Sequence, residues 1–188
     1  MNGRGFVVVL LGAESTGKTT LAADLGIALT SRGRRVEVVG EVLREFCDAN
    51  VRTPRREEQE AIATAQSERI EAAAERADIV VADTSALMIA VYSDLVFADR
   101  GLYARALAAQ ERADLTLVTA LDLPWRADGL QRDGAHVRAP VDGLLRTALT
   151  GAGIAFSTIV GRGTARLDAA LQAVDAALAR RAGSGAGR

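Results

Sequence analysis

Phe6-Val7-Val8-Val9-Leu10-Leu11-Gly12-Ala13-Glu14-Ser15-Thr16-Gly17-Lys18-Thr19-Thr20 is the stretch whose reading decides the fold. Val7 to Leu11 is an unbroken apolar run of strand length, rich in β-branched residues, as expected of a strand buried on both faces of a parallel sheet. Gly12 to Thr19 then fits G-x-x-x-x-G-K-[ST] at every fixed position. Beyond it Leu21, Leu25, Ala28 and Leu29 share one helical face, which predicts a helix from near Gly17 to just before Gly33. The loop therefore joins a strand's carboxyl end to a helix's amino end, where unpaired N–H groups and the helix dipole attract phosphate. Gly12, Glu14, Ser15, Thr16, Gly17, Lys18, Thr19 and Thr20 are the nucleotide-binding candidates. Lys18 is expected to bridge the β- and γ-phosphates of ATP, and the Thr19 hydroxyl to ligate Mg2+. Lys18 is also the only lysine among 23 basic residues. A compact ammonium on a flexible stem is not interchangeable with an arginine fork, so its survival at this one position points to the phosphate role.

The 188 residues suit one domain with a full hydrophobic core. A net charge of −1, without a long basic block, speaks against a nucleic-acid surface. The single cysteine, Cys47, has no internal disulfide partner and reads as a small apolar filler, so a reduced, cytoplasmic setting is expected. The amino-terminal apolar run is too short for a membrane span, and no membrane partner is expected. His136, in a polar loop, reads as solvated.

Further strands are expected at Arg35–Gly40, Ile79–Ala82, Leu115–Leu121 and Phe156–Val160. Helical spacing marks Glu41–Phe46, a long segment from Glu57, Ala86–Val91, Tyr103–Arg112, Leu144–Leu149 and a last helix through Leu167, Leu171, Val174 and Leu178. Strands alternating with helices imply an α/β fold: a doubly wound, mostly parallel five-stranded sheet with helices on both faces. One domain is expected over residues 1–180, with a disordered tail at 181–188. Ligands should lie at the carboxyl ends of the strands, where Glu41 and Asp83 also fall. Asp83, closing an apolar strand, is a candidate for Mg2+, and a helix-capping role is compatible with it. Residues 124–139 are polar and arginine-rich and read as a lid, with Arg126, Arg132 and Arg138 the candidates for reaching the transferring phosphoryl group.

The chain resembles the NadR-like P-loop kinases, which include a ribosylnicotinamide kinase domain. The resemblance rests on Gly12 to Leu21, on Glu41-Val42-Leu43-Arg44-Glu45, on Asp83-Thr84 with Val91-Tyr92-Ser93, and on Pro124-Trp125-Arg126-Ala127-Asp128-Gly129-Leu130. It covers roughly Gly5 to Leu178. It implies ATP-dependent phosphorylation of the ribose 5′-hydroxyl of nicotinamide riboside, a step of NAD biosynthesis. Glu41 and Asp83 are then the carboxylates for the acceptor hydroxyl and for Mg2+, in either order. Trp125 would stack on a cationic pyridinium or pin the lid to the core. Asp128 would bind ribose hydroxyls or offset the pyridinium charge, and Arg44 would orient Glu41 or contact substrate. Arg132 joins Lys18 as a candidate for phosphoryl-charge stabilisation, and Gly161 to Arg166 falls where the family holds adenine. Because the chain begins directly at its first strand, a stand-alone kinase without an adenylyltransferase or DNA-binding domain is expected. The alternatives are a kinase for another nucleoside or vitamin-like alcohol, or an ATP-binding switch or assembly protein. Oligomeric state is left open.

Overall fold

The computed structural model describes residues 4–126 and 134–185. Five strands, β1 (Phe6–Leu11), β2 (Val36–Val39), β3 (Ile79–Asp83), β4 (Leu115–Thr119) and β5 (Ser157–Ile159), form one sheet in the order β2-β3-β1-β4-β5. Every pairing is parallel. β1, β3 and β4 are buried along their whole length, which is why their sequences run apolar without alternation.

Alternate side chains of those strands feed two cores. Phe6, Val8, Leu10, Ile79, Val81 and Leu117 pack under α1 (Lys18–Ser31) and α7 (Gly163–Gly185). Val7, Val9, Leu11, Val80, Ala82 and Val118 face the opposite layer, made by α2 (Val42–Asn50), α3 (Gln59–Arg76), α4 (Ala86–Phe97), α5 (Tyr103–Gln110) and α6 (Arg138–Gly151). α4 is buried on nearly every side from Ala86 to Val91, packed among α3, α5 and α6, so its sequence is apolar all round rather than striped. Cys47 is buried in this second core, and His136 is exposed in a short 3₁₀ turn over Ala135–Val137.

The expected architecture is therefore the observed one, with differences at element ends. α6 opens at Arg138 rather than near Leu144. Pro140 falls in its first turn, where a missing N–H costs nothing, and Gly143 interrupts the periodic signal. The segment read as a lid is shortened accordingly, and Arg138 belongs to a helix. α7 continues to Gly185, past the boundary drawn at residue 180 on loss of apolar period, because Ala and Arg sustain a helix without a partner face.

The strand order reverses at β1, between β3 and β4, and the crevice above such a point is where open α/β sheets bind ligands. Leu10 sits at the centre of this frame, fully buried between β3 and β4. Leu10→Ala should cost about 2–5 kcal/mol, read as a lowered midpoint in urea unfolding.

Candidate active site

The crevice above β1 is a cleft of about 590 Å³. One wall is the loop between β1 and α1. Gly12 has φ +146°, and a Cβ there would run into the Thr119 hydroxyl. Gly17, with φ +77°, caps α1 from a left-handed conformation. Thr119 is fully buried, its Oγ1 3.1 Å from the Leu11 carbonyl and 2.7 Å from Thr16 Oγ1, while Thr16 donates to the Ala13 carbonyl at 2.7 Å. All eight nucleotide-binding candidates, from Gly12 to Thr20, border the cleft.

Lys18 Nζ donates to the Ala13 carbonyl at 2.9 Å. Lys18 borders the cleft and is half-buried, and burial lowers its pKa against the opposing pull of Glu41, Asp83 and Glu14. Burial likewise raises Glu41, although Lys18 counters it, and Asp83 adds to the rise. Arg44 Nε lies 3.8 Å from Glu41 Oε2. Asp83 pairs in register with Leu10, beside the start of the loop. It is buried and does not itself border the cleft, and its Oδ1 has no hydrogen-bond partner among the described residues. The cap of α4 is Ser85, which accepts from the Leu87 N–H at 3.2 Å, so Asp83 is free of that duty. Between them Thr84 takes φ +83°, an uncommon conformation for a β-branched residue, and its N–H donates to the Leu10 carbonyl at 3.0 Å.

The facing wall carries Glu41, Arg44, Thr84, Met88 and Tyr92. Met88 and Tyr92 are one turn apart on α4 and supply its apolar face. The sequence singled out Trp125 for this duty; it is half-buried and lies outside the cleft lining, whereas its neighbours Pro124 and Arg126 border it. The first residues of the segment read as a lid are fastened to the phosphate loop. The Ser15 hydroxyl donates to the Arg126 carbonyl, the Arg126 N–H donates back to Ser15 Oγ at 3.0 Å, and Arg138 Nη1 donates to the Leu123 carbonyl at 3.0 Å. Arg138 is thus buried rather than free in a loop. Asp128 and Arg132 lie outside the described residues.

The stretch Gly161 to Arg166 is marked only by the family resemblance, with no single residue in it singled out; the structure brings Arg166 forward. Buried at the start of α7, it donates from Nη1 to Asp122 Oδ1 at 2.9 Å and to the Gly161 carbonyl at 2.6 Å, and from Nη2 to the Thr16 carbonyl at 2.8 Å. Burial pushes the Asp122 carboxyl up, but Arg166 and the Gly161 N–H, which donates to Asp122 Oδ2 at 2.6 Å, outweigh it and hold the carboxyl low. The pair's contribution to stability is therefore present above the usual aspartate range and lost as pH falls through the lowered value. One guanidinium ties the phosphate loop to the loop after β5, whose Arg162 also borders the cleft.

A phosphate loop of this form, seated at the switch point of a five-stranded parallel sheet, defines a P-loop nucleotide-binding protein. The chain belongs to the AAA domain family, whose model matches residues 7–166. No curated protein matches it. Among solved structures it is similar to NadR protein in complex with NR, with a TM-score of 0.75 and 22% identity over 92% of this chain and 50% of that one. It is also similar to NadR protein in complex with NAD and AMP-PNP, with a TM-score of 0.70 and 22% identity over 92% and 49%. The expected likeness to NadR is thus found in the fold, and the chain spans about half the length of those NadR chains.

Arg166→Met leaves the Thr16 carbonyl and Asp122 without their donor. ATP binding measured by calorimetry should weaken about 10-fold, near 1.4 kcal/mol. The melting temperature should fall by several degrees with it.

Proposed function

We propose that this chain is an ATP-dependent small-molecule kinase that phosphorylates the ribose 5′-hydroxyl of nicotinamide riboside. The observation that carries the reading is the second wall. A cleft with a phosphate loop on one side has Glu41, Arg44, Met88 and Tyr92 on the other, a ready pocket for a small acceptor. Carboxylates cluster around it, since Glu14, Glu41 and Asp83 all act on Lys18. Such a wall suits an acceptor that carries a positive ring, and Tyr92 offers that ring an aromatic face. The Glu-x-x-Arg-Glu and Asp-Thr motifs, and the shared fold of a NadR protein bound to NR, support the same acceptor.

In this reading the loop N–H groups and Lys18 hold the β- and γ-phosphates and take up charge as the terminal phosphoryl group moves. Glu41, drawn toward the neutral form by burial, accepts the proton of the acceptor hydroxyl as that oxygen bonds to the γ-phosphorus. The bond to the β-phosphate oxygen breaks, and ADP leaves. Thr19 and Asp83 fit a divalent cation: one offers a hydroxyl in the cleft, the other a buried carboxylate oxygen without a partner. Mg2+ bound there would neutralise phosphate charge, its remaining ligands coming from phosphates and water. Arg44 holds Glu41 in place, and Arg126, in the segment read as a lid, is positioned to meet phosphate on closure.

ADP release with Mg2+ and ATP, measured against nicotinamide riboside, adenosine, uridine and a vitamin-like alcohol, tests the acceptor. Turnover with nicotinamide riboside and a product heavier by one phosphoryl group is expected. Turnover only with another member of the panel would replace the substrate while leaving the kinase.

Glu41→Gln should lower kcat about 10²- to 10⁴-fold. In the wild type the acid limb of kcat/KM should lie above the range of an ordinary glutamate, because the base must lose its proton and burial makes that loss harder. An acid limb at the ordinary glutamate value would argue against Glu41 as the base.

A further inference from the structure

The buried face of α3 carries two glutamines, Gln59 at its first turn and Gln66 in mid-helix. Gln66 is completely buried beside Ile62, Ala63, Ala73 and Ala74, and packing does not explain it. Moving an amide from water into such surroundings costs roughly 2–7 kcal/mol unless its polar atoms are bonded. Both are, and both reach the same turn of backbone between β2 and α2. The Val42 N–H donates to Gln66 Oε1 at 2.8 Å, and Gln66 Nε2 donates to the Gly40 carbonyl at 3.2 Å. A backbone N–H only donates and a carbonyl only accepts, so one orientation of the amide satisfies both. The residue between these two peptide groups is Glu41.

Val42 is the first residue of α2, and its N–H is one of the donors a helix leaves unpaired at its start. Glu41 occupies the capping position, but its side chain makes no capping bond to the helix's backbone N–H groups. Gln66 supplies that bond from α3 instead. The Glu41 carboxylate is thereby left for the cleft, where it meets Arg44 and acts on Lys18. With the peptide groups on both sides fastened, the direction of the Glu41 Cα–Cβ bond is set by the rigid packing of α3 rather than by an edge-strand turn. The placement also has a physical need. β2 is the edge of the sheet, so the turn that follows it has a neighbouring strand on one side only.

We propose that Gln66 is a positioning residue for Glu41: its amide clips the two flanking peptide groups and fixes the carboxylate against the acceptor hydroxyl. The inference rests on the reading of Glu41 as the proton acceptor.

Gln66→Met keeps side-chain length and removes both bonds, and Gln66→Glu keeps the acceptor for Val42 while removing the donor to Gly40. Each is compared with wild type, with Glu41→Gln and with Glu41→Gln/Gln66→Met, varying ATP and nicotinamide riboside separately. We expect Gln66→Met to lower kcat about 10- to 100-fold, as for a misplaced catalytic group. KM for ATP should stay within about 2-fold, because the phosphate loop is untouched. In the Glu41→Gln background, adding Gln66→Met should change the residual rate by less than about 2-fold, because the clip acts only through Glu41. An unchanged kcat with only a lower melting temperature, or an equal loss in both backgrounds, would overturn the proposal. If Gln66→Met does not fold, Gln66→Glu decides by the same kcat and KM criteria. An impaired Glu41→Gln beside fully active Gln66 variants fails this inference alone, whereas full turnover by Glu41→Gln fails the base role and the inference with it.

Discussion

Drawing the Lys18 ammonium out of water at the mouth of a parallel sheet is the constraint on which the site depends. A desolvated cation is tolerated only among negative or dipolar groups, and here three carboxylates and the Ala13 carbonyl provide them. The same crowding acts back on the carboxylates. Glu41 is held toward its neutral form by burial and by Asp83 while Lys18 opposes that shift. The charge balance therefore shifts one carboxylate toward its neutral form and keeps another at the base of the phosphate loop, and it follows from where β1 and β3 end.

That arrangement holds only while the loop keeps its place, and three fixtures far apart in sequence hold it. Thr119 on β4 occupies the space that a Cβ on Gly12 would need. Arg166 reaches from the last helix to the Thr16 carbonyl. The segment after β4 is bound to Ser15 through Arg126 and to Arg138 through Leu123. Gln66 does the equivalent for the acceptor wall, fastening the turn that carries Glu41. Each fixture uses a side-chain polar group to satisfy backbone atoms that no regular element pairs, which is how irregular loops at a site become rigid.

The donor half of this site was legible in the sequence because its signal is local. A buried strand, a loop of fixed spacing and a helix follow one another without a break from Phe6 to Ser31, and the sheet followed from four more apolar runs. The acceptor half was legible only in part. Glu41 and Asp83 close strands, so topology placed them. Met88 and Tyr92 have helical spacing, but α4 is apolar on every side, and nothing in its pattern told the cleft face from the core face. Trp125 was chosen by composition, and the cleft is bordered by its neighbours Pro124 and Arg126 without it. Arg166 lay in a stretch marked only by resemblance and Gln66 on a helical pattern, but the bonds of neither could be read, because Thr16 and Val42 lie 150 and 24 residues away. The start of α6 was obscured by Pro140 and Gly143, whose usual meaning as breakers does not hold in a first turn or in a well-packed helix.

Transfer of a phosphoryl group from ATP to an alcohol within one cleft is tested most directly by following the label from γ-labelled ATP in a single turnover, with and without nicotinamide riboside, in the wild-type protein and in Lys18→Ala. Label on the riboside is expected in the wild type and none in Lys18→Ala. Label released as inorganic phosphate at the same rate with and without the riboside would contradict it and favour a nucleotide-driven switch.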